Sequence, residues 1–158
     1  MSRQIELLVC LITAALLPAQ VVERKTITLE GARKLAAAAE AEALKNNWKV
    51  AIAVVDEGGH LVYFQRMHEV QTASADIAIQ KARSAAAYRR PTKAFQDSLV
   101  GGRMAVLRIP GAMPFDGGLP LMVEGQFVGG LGVSGNTSGE QDAIAARAAV
   151  ERSGFASK

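Results

Sequence analysis

Six consecutive residues, Val50-Ala51-Ile52-Ala53-Val54-Val55, are apolar at every position. A strand with one face in water alternates apolar and polar side chains, so a run without that alternation belongs in the middle of a sheet covered on both sides. Asp56-Glu57-Gly58-Gly59 follows, with the residue types of a tight turn, and then His60 to Arg66, rich in Val, Tyr and Phe. The pattern predicts a β-hairpin whose first strand is central. It also requires helices on both faces of the sheet.

The rest of the chain supplies those helices. Thr28-Leu29-Glu30 opens a segment to Lys45 with apolar residues at Leu29, Ala32, Leu35, Ala36, Ala39, Ala43 and Leu44, a helical stripe begun by an N-cap hydroxyl and closed by Asn46-Asn47. A second helix is predicted from Ser74 to Tyr88, its small residues spaced for close packing, and Arg90-Pro91 ends it because the residue before proline avoids helical geometry. Thr92 begins a short helix toward Leu99, stopped by Gly101-Gly102. Arg108 to Pro120 is rich in Pro and Gly and reads as an irregular loop, the chain's best candidate for a functional loop or lid. A second hairpin spans Leu119 to Val123 and Gln126 to Val133 around Glu124-Gly125, and Gly129-Gly130 and Gly132 permit a bulge or the close approach of another backbone. Ser138 caps a last helix that carries Ala143, Ile144, Arg147 and Val150 and ends before Gly154. The order is helix, hairpin, two helices, loop, hairpin, helix. It lacks the strand and helix alternation of a parallel doubly wound sheet, and predicts an α/β (α+β) fold built on an antiparallel sheet.

At 158 residues and 49% hydrophobic, the chain has the size and composition of one domain with a real core. Its formal charge of +3 is spread along the sequence rather than gathered in a block, and 5% aromatic residues leave little for base stacking, so nucleic acid is set aside. The first nineteen residues differ in character. Arg3, an apolar run from Leu7 to Leu17 and then Pro18-Ala19-Gln20 have the layout of a secretory signal peptide cleaved after Ala19. The run is shorter than the ~20 apolar residues of a membrane span. The expected mature chain is therefore a single domain, residues 20–158, periplasmic or secreted; a helix packed on the domain of a cytoplasmic protein is the alternative. The only cysteine, Cys10, lies inside the leader.

Chemistry is sparse. His60 and His68 stand at opposite ends of the predicted second strand, about 26 Å apart if it is regular, so one subunit cannot place both on a single metal. Neither belongs to a zinc pattern. His60 reads as a turn residue and His68 as a loop residue, with His68 a candidate axial ligand if it faces a pocket. Gly132-Val133-Ser134-Gly135 fails the spacing of a serine-hydrolase elbow, and the glycine pairs match neither a phosphate loop nor a dinucleotide fingerprint. Arg89-Arg90 with Lys93, Lys81 and Arg83 forms a basic cluster able to pair with ligand carboxylates, or equally a solvated helix face. For an enzyme, or an accessory acting on a small oxidised metabolite or tetrapyrrole, Asp56, His60 and Lys81 are the available polar residues. No nucleophile, base and orienting group share a motif.

Taken together, Val54-Val55-Asp56-Glu57-Gly58-Gly59-His60-Leu61, Arg66-Met67, Ala78 with Lys81-Ala82, Arg90-Pro91-Thr92, Pro114 to Pro120 with Gly117-Gly118, and Gly129 to Gly135 resemble the GlcG/HbpS family in order and spacing. The resemblance covers nearly all of residues 20–158. It implies a profilin-like fold with a central antiparallel sheet, assembly into homo-oligomers, and haem or a related tetrapyrrole as cofactor and partner; related domains are joined to cobalamin adenosyltransferases. It further implies Thr92 as an iron ligand. A hydroxyl is a weak, hard ligand suited to ferric haem, and so to sequestration or sensing. Where relatives carry an acidic residue and Gly after Arg-Met, this chain has His68-Glu69, which makes His68 a second ligand candidate. Arg90 and Lys81 would meet the propionates.

Overall fold

Five residues of the apolar run, Ala51–Val55, form strand β1, and all five are buried. The computed structural model describes residues 20–135 and 138–157; the predicted leader, 1–19, lies outside them. Helix α1 (Leu29–Lys45) precedes β1, and β2 (Leu61–Arg66), α2 (Ala73–Tyr88) and α3 (Lys93–Val100) follow it. A 3₁₀ turn (Met104–Arg108), β3 (Gly118–Val123), β4 (Gln126–Ser134) and α4 (Gly139–Arg152) complete the chain. The sheet order is β2-β1-β4-β3, and every neighbouring pair is antiparallel. The two hairpins therefore meet along a central seam, with Ala51 opposite Ser134 and Val55 opposite Gly130.

Side chains leave a strand on alternate faces, and β1 divides its residues between two cores accordingly. Ile52 and Val54, with Leu121, Leu131 and Val133, pack under α1 (Leu35, Ala36, Ala39, Ala43) and α4 (Ala145, Ala146, Ala149). Ala51, Ala53 and Val55 pack against Ala78, Ala82 and Ala86 of α2. The apolar stretch thus sits at the middle of three layers, as its lack of alternation requires.

The α2 layer lies close to the sheet. A Cβ placed on Gly132 would stand 2.0 Å from the Ala78 carbonyl oxygen, and one on Gly130 would stand 2.4 Å from that of Ala82. The β4 glycines thus serve both uses anticipated for them: Gly130 and Gly132 admit the close approach of α2, and beside Gly129 the β3–β4 register slips at a bulge, Leu121 facing Gly129 and Met122 facing Phe127. Thr28 and Ser138 cap α1 and α4, accepting from the backbone N–H of Gly31 and Gln141. α2 ends where Arg89 turns left-handed (φ 49°) ahead of Arg90-Pro91.

The Pro- and Gly-rich loop is more ordered than its composition suggests. Val106, 2% exposed, anchors the 3₁₀ turn just before it, and strand β3 already begins at Gly118. Tethers to α2 run from the Met113 N–H to Ser84 Oγ (3.0 Å) and from the Tyr88 hydroxyl to the Pro110 carbonyl. At the sheet margins, Met122 of β3 exchanges both backbone hydrogen bonds with Ala156 of the C-terminal tail (2.8 and 2.9 Å). No strand among the described residues pairs with the outer edge of β2. None of the described helices is long and apolar enough to cross a membrane.

Candidate functional site

Two consecutive glycines at the start of β3 organise the polar interior. Lys81 of α2, 2% exposed, extends to them and donates from Nζ to Asp142 Oδ2 of α4 (2.7 Å) and to the Val133 carbonyl (3.0 Å). A Cβ on Gly117 would lie 3.0 Å from that Nζ and 2.8 Å from the same carbonyl, and the glycine has φ +110°. Burial pushes the Lys81 ammonium below its usual 10.5, against the opposing pull of Asp142 and the nearby Asp116. Gly118 in turn abuts Thr92, whose Cγ2 would be 2.5 Å from an added Cβ. Thr92 has no exposed surface; its Oγ1 accepts from the Gly118 N–H (2.9 Å), while its own N–H donates to the Gly118 carbonyl (3.0 Å). One buried knot thereby ties α2, α3, β3, β4 and α4 together.

The Thr92 hydroxyl is the acceptor for a buried N–H, which fixes the expected effect of its removal. Thr92→Val should lower stability by roughly 1–3 kcal/mol in urea denaturation, the cost of an unsatisfied buried donor. Thr92→Ser, which keeps the oxygen, should recover most of it. Equal stability of the two variants would show that the hydroxyl does not hold Gly118.

Beside this knot lies an open trough of about 440 Å³. Pro91, Leu119, Val150 and Phe155 give it apolar surface, and Lys93, Arg147, Asp116 and Glu151 bring charge to it. Lys93 is paired with Asp97 (2.6 Å), which raises its pKa. Among the described residues no hydrogen bond or ion pair engages Arg147. Asp116 is buried, its carboxylate accepting from the Gly117 N–H (2.7 Å) and its own N–H donating to Gln96 Oε1 (2.9 Å).

The residues singled out from the sequence fall in different places. Lys81 and Thr92 come together on adjacent glycines, but both face inward: Lys81 serves an internal carboxylate, Asp142, where an outside one was expected, and the Thr92 hydroxyl has no side open to a ligand in the monomer. Arg90 is exposed, with its guanidinium 4.1 Å from the Phe95 ring centre and 5.7 Å from that of Tyr88. His68 is exposed in the turn after β2, at the opposite edge of the sheet from Gly118. Three inter-strand spacings set those edges roughly 14 Å apart, so Thr92 and His68 do not share a site within one subunit.

The alternative trio does not converge either. Asp56 Oδ1 accepts from the N–H of Gly58 and of His60 in the β1–β2 turn and lies 3.3 Å from His60 Nδ1, while Lys81 is committed elsewhere. Sequence reasoning missed Asp142, Asp116 and Arg147. A signal for the first was present, since Lys81 interrupts an otherwise buried stripe of Ala78, Ala82 and Ala85, and a lysine there needs an interior counter-charge. Among the described residues no cluster of three or more His, Cys, Asp or Glu side chains is placed to hold a metal ion.

Comparison with known proteins agrees with this architecture. Protein GlcG of Escherichia coli K12 is 46% identical over 103 residues, which covers 65% of this chain and 77% of that protein. The crystal structure of HbpS superposes with a TM-score of 0.77 at 32% identity, covering 84% of this chain and 93% of that one. The crystal structure of a PduOC:haem complex superposes at 0.75 with 27% identity, covering 83% and 97%. The sequence model of the family described as "Haem degrading protein HbpS-like" matches residues 27–151, and this chain, with its four-stranded antiparallel sheet between helical layers, belongs to that family.

Proposed function

We propose that this protein binds haem, as an exported and self-associating protein that sequesters or senses it. The observation that carries the proposal is the open trough: apolar surface from Leu119, Val150 and Phe155 beside two cations, Lys93 and Arg147. A porphyrin presents an apolar macrocycle and two carboxylates, and this surface offers both kinds of partner. The haem complex of the similar PduOC supports the ligand class. In this reading the propionates meet Lys93 and Arg147, with Arg90 nearby in sequence, and Lys81 and Thr92 shape the site from beneath. His68 is an exposed imidazole at the opposite edge of the sheet from this trough, so in this reading it meets iron only from a second subunit of the assembly. The open edge of β2 is the surface that supports self-association.

A haemin titration followed by absorbance tests this. Saturation at fixed stoichiometry is expected, weakened about tenfold or more by Lys93→Gln with Arg147→Gln through the loss of charge-assisted hydrogen bonds. A spectral change in His68→Ala would assign the imidazole to iron. Linear uptake without saturation, indifferent to these substitutions, would sink the reading. Following the absorbance of the saturated protein over time also reads out the haem degradation named in the family description.

A further inference from the structure

From Ser98 to Phe115 the chain contains no acidic residue, two arginines and an unusual share of exposed apolar surface. Val100 is 83% exposed, Met104 63% and Leu107 55%. Met104 and Leu107 belong to the 3₁₀ turn, and in a helix of three residues per turn positions i and i+3 eclipse, so these two side chains project from one face. Arg103 and Arg108 flank that face in sequence, both exposed. Among the described residues neither guanidinium has an ion pair. The nearest acids in sequence are engaged: Asp97 with Lys93, and the buried Asp116 with its own loop. The turn is held in place, with Val106 buried beneath it and the following segment tethered to α2. It is a fixed, protruding apolar edge bracketed by unpaired cations.

We propose that this 3₁₀ edge docks on the surface of an anionic lipid bilayer, with Met104 and Leu107 entering the headgroup and acyl boundary and Arg103 and Arg108 pairing with lipid phosphates. Charge decides between the possible occupants. Two copies facing each other through this edge about a two-fold axis would bring four arginines together with no acid in either segment to offset them, which disfavours self-pairing here. A neutral apolar partner would leave the guanidiniums desolvated and unpaired. An anionic bilayer satisfies both components, since interfacial elements combine apolar side chains with Lys or Arg and gain affinity from acidic lipids.

The test is co-sedimentation of the intact protein with phosphatidylcholine vesicles and with vesicles containing one part phosphatidylglycerol to three parts phosphatidylcholine. The expected result is binding to the anionic vesicles only, reduced by salt. Arg103→Gln with Arg108→Gln should weaken it about 25-fold, roughly fivefold for each cation near an anionic surface. Leu107→Gln should weaken it as well, while Arg33→Gln on the exposed face of α1 should leave it unchanged. Unaltered thermal unfolding shows that the variants are folded. Equal binding to both vesicle types, no binding to either, or an equal effect of Arg33→Gln would overturn the proposal. So would a fall in oligomeric size on Met104→Ser with Leu107→Ser, which would assign the edge to a contact between copies.

Discussion

Gly132→Ala should be among the most damaging single substitutions in this protein. Its Cβ would stand 2.0 Å from the Ala78 carbonyl oxygen and 2.6 Å from the Ala82 backbone nitrogen, and neither atom can rotate away because both belong to the backbone of α2. Overpacking in a core usually costs about 1–3 kcal/mol, when side chains give way. Here the helix itself has to lift from the sheet and release Ala78, Ala82 and Ala86 from their core, so a loss above about 3 kcal/mol in urea denaturation is expected. Gly125→Ala provides the comparison. That glycine also has an unfavourable backbone (φ +75°) but meets nothing within 4 Å, so its cost should stay near the ~1–2 kcal/mol of the left-handed conformation. If the two variants proved equally stable, α2 would not lie as close to β4 as described.

The second large effect belongs to Lys81. Lys81→Met removes the ammonium from a buried carboxylate, and breaking such a pair by deleting one partner costs about 3–5 kcal/mol. The pH dependence follows from the lowered pKa of the lysine. Between its folded value and the ordinary 10.5, the unfolded chain holds a proton that the folded protein has released, so wild-type stability rises with pH across that window. The methionine variant lacks this contribution. The stability difference between the two should therefore widen as pH climbs through that window toward 10.5. A variant within 1 kcal/mol of wild type at neutral pH would show that the knot does not depend on this pair.

What was legible in the sequence was decided by periodicity. The unbroken apolar run announced a doubly covered strand, Thr28 and Ser138 marked helix starts, and Gly130 and Gly132 pointed to a close backbone approach that α2 then makes. Such features are local, and a window of ten residues contains them. The candidate site was less legible because its parts come from separate elements. Lys93 begins α3, Asp116 precedes β3 and Arg147 lies on α4, and only the folded chain brings them to one trough. Lys81 illustrates the other difficulty: a lysine on a helix ordinarily reads as solvated, and its burial is decided by Asp142, a residue 61 positions further along. The 3₁₀ turn escaped notice for a related reason, since the Pro and Gly content that follows it conceals the anchoring of Val106.

The seam between β1 and β4 also governs when this sheet can exist at all. Each hairpin closes from neighbouring residues, but the strand that is apolar on both faces finds its second partner only when Ser134 has come round to Ala51. Until then one edge of the most apolar strand in the protein is bare. Closing that long loop carries an entropic cost that the local hairpins do not, and topologies dominated by such pairings fold slowly. On a ribosome the first half of the chain therefore has to wait for the last hairpin. A chain held in that interval exposes Ala51–Val55 to its neighbours, so chaperone protection matters most before the final quarter has been delivered.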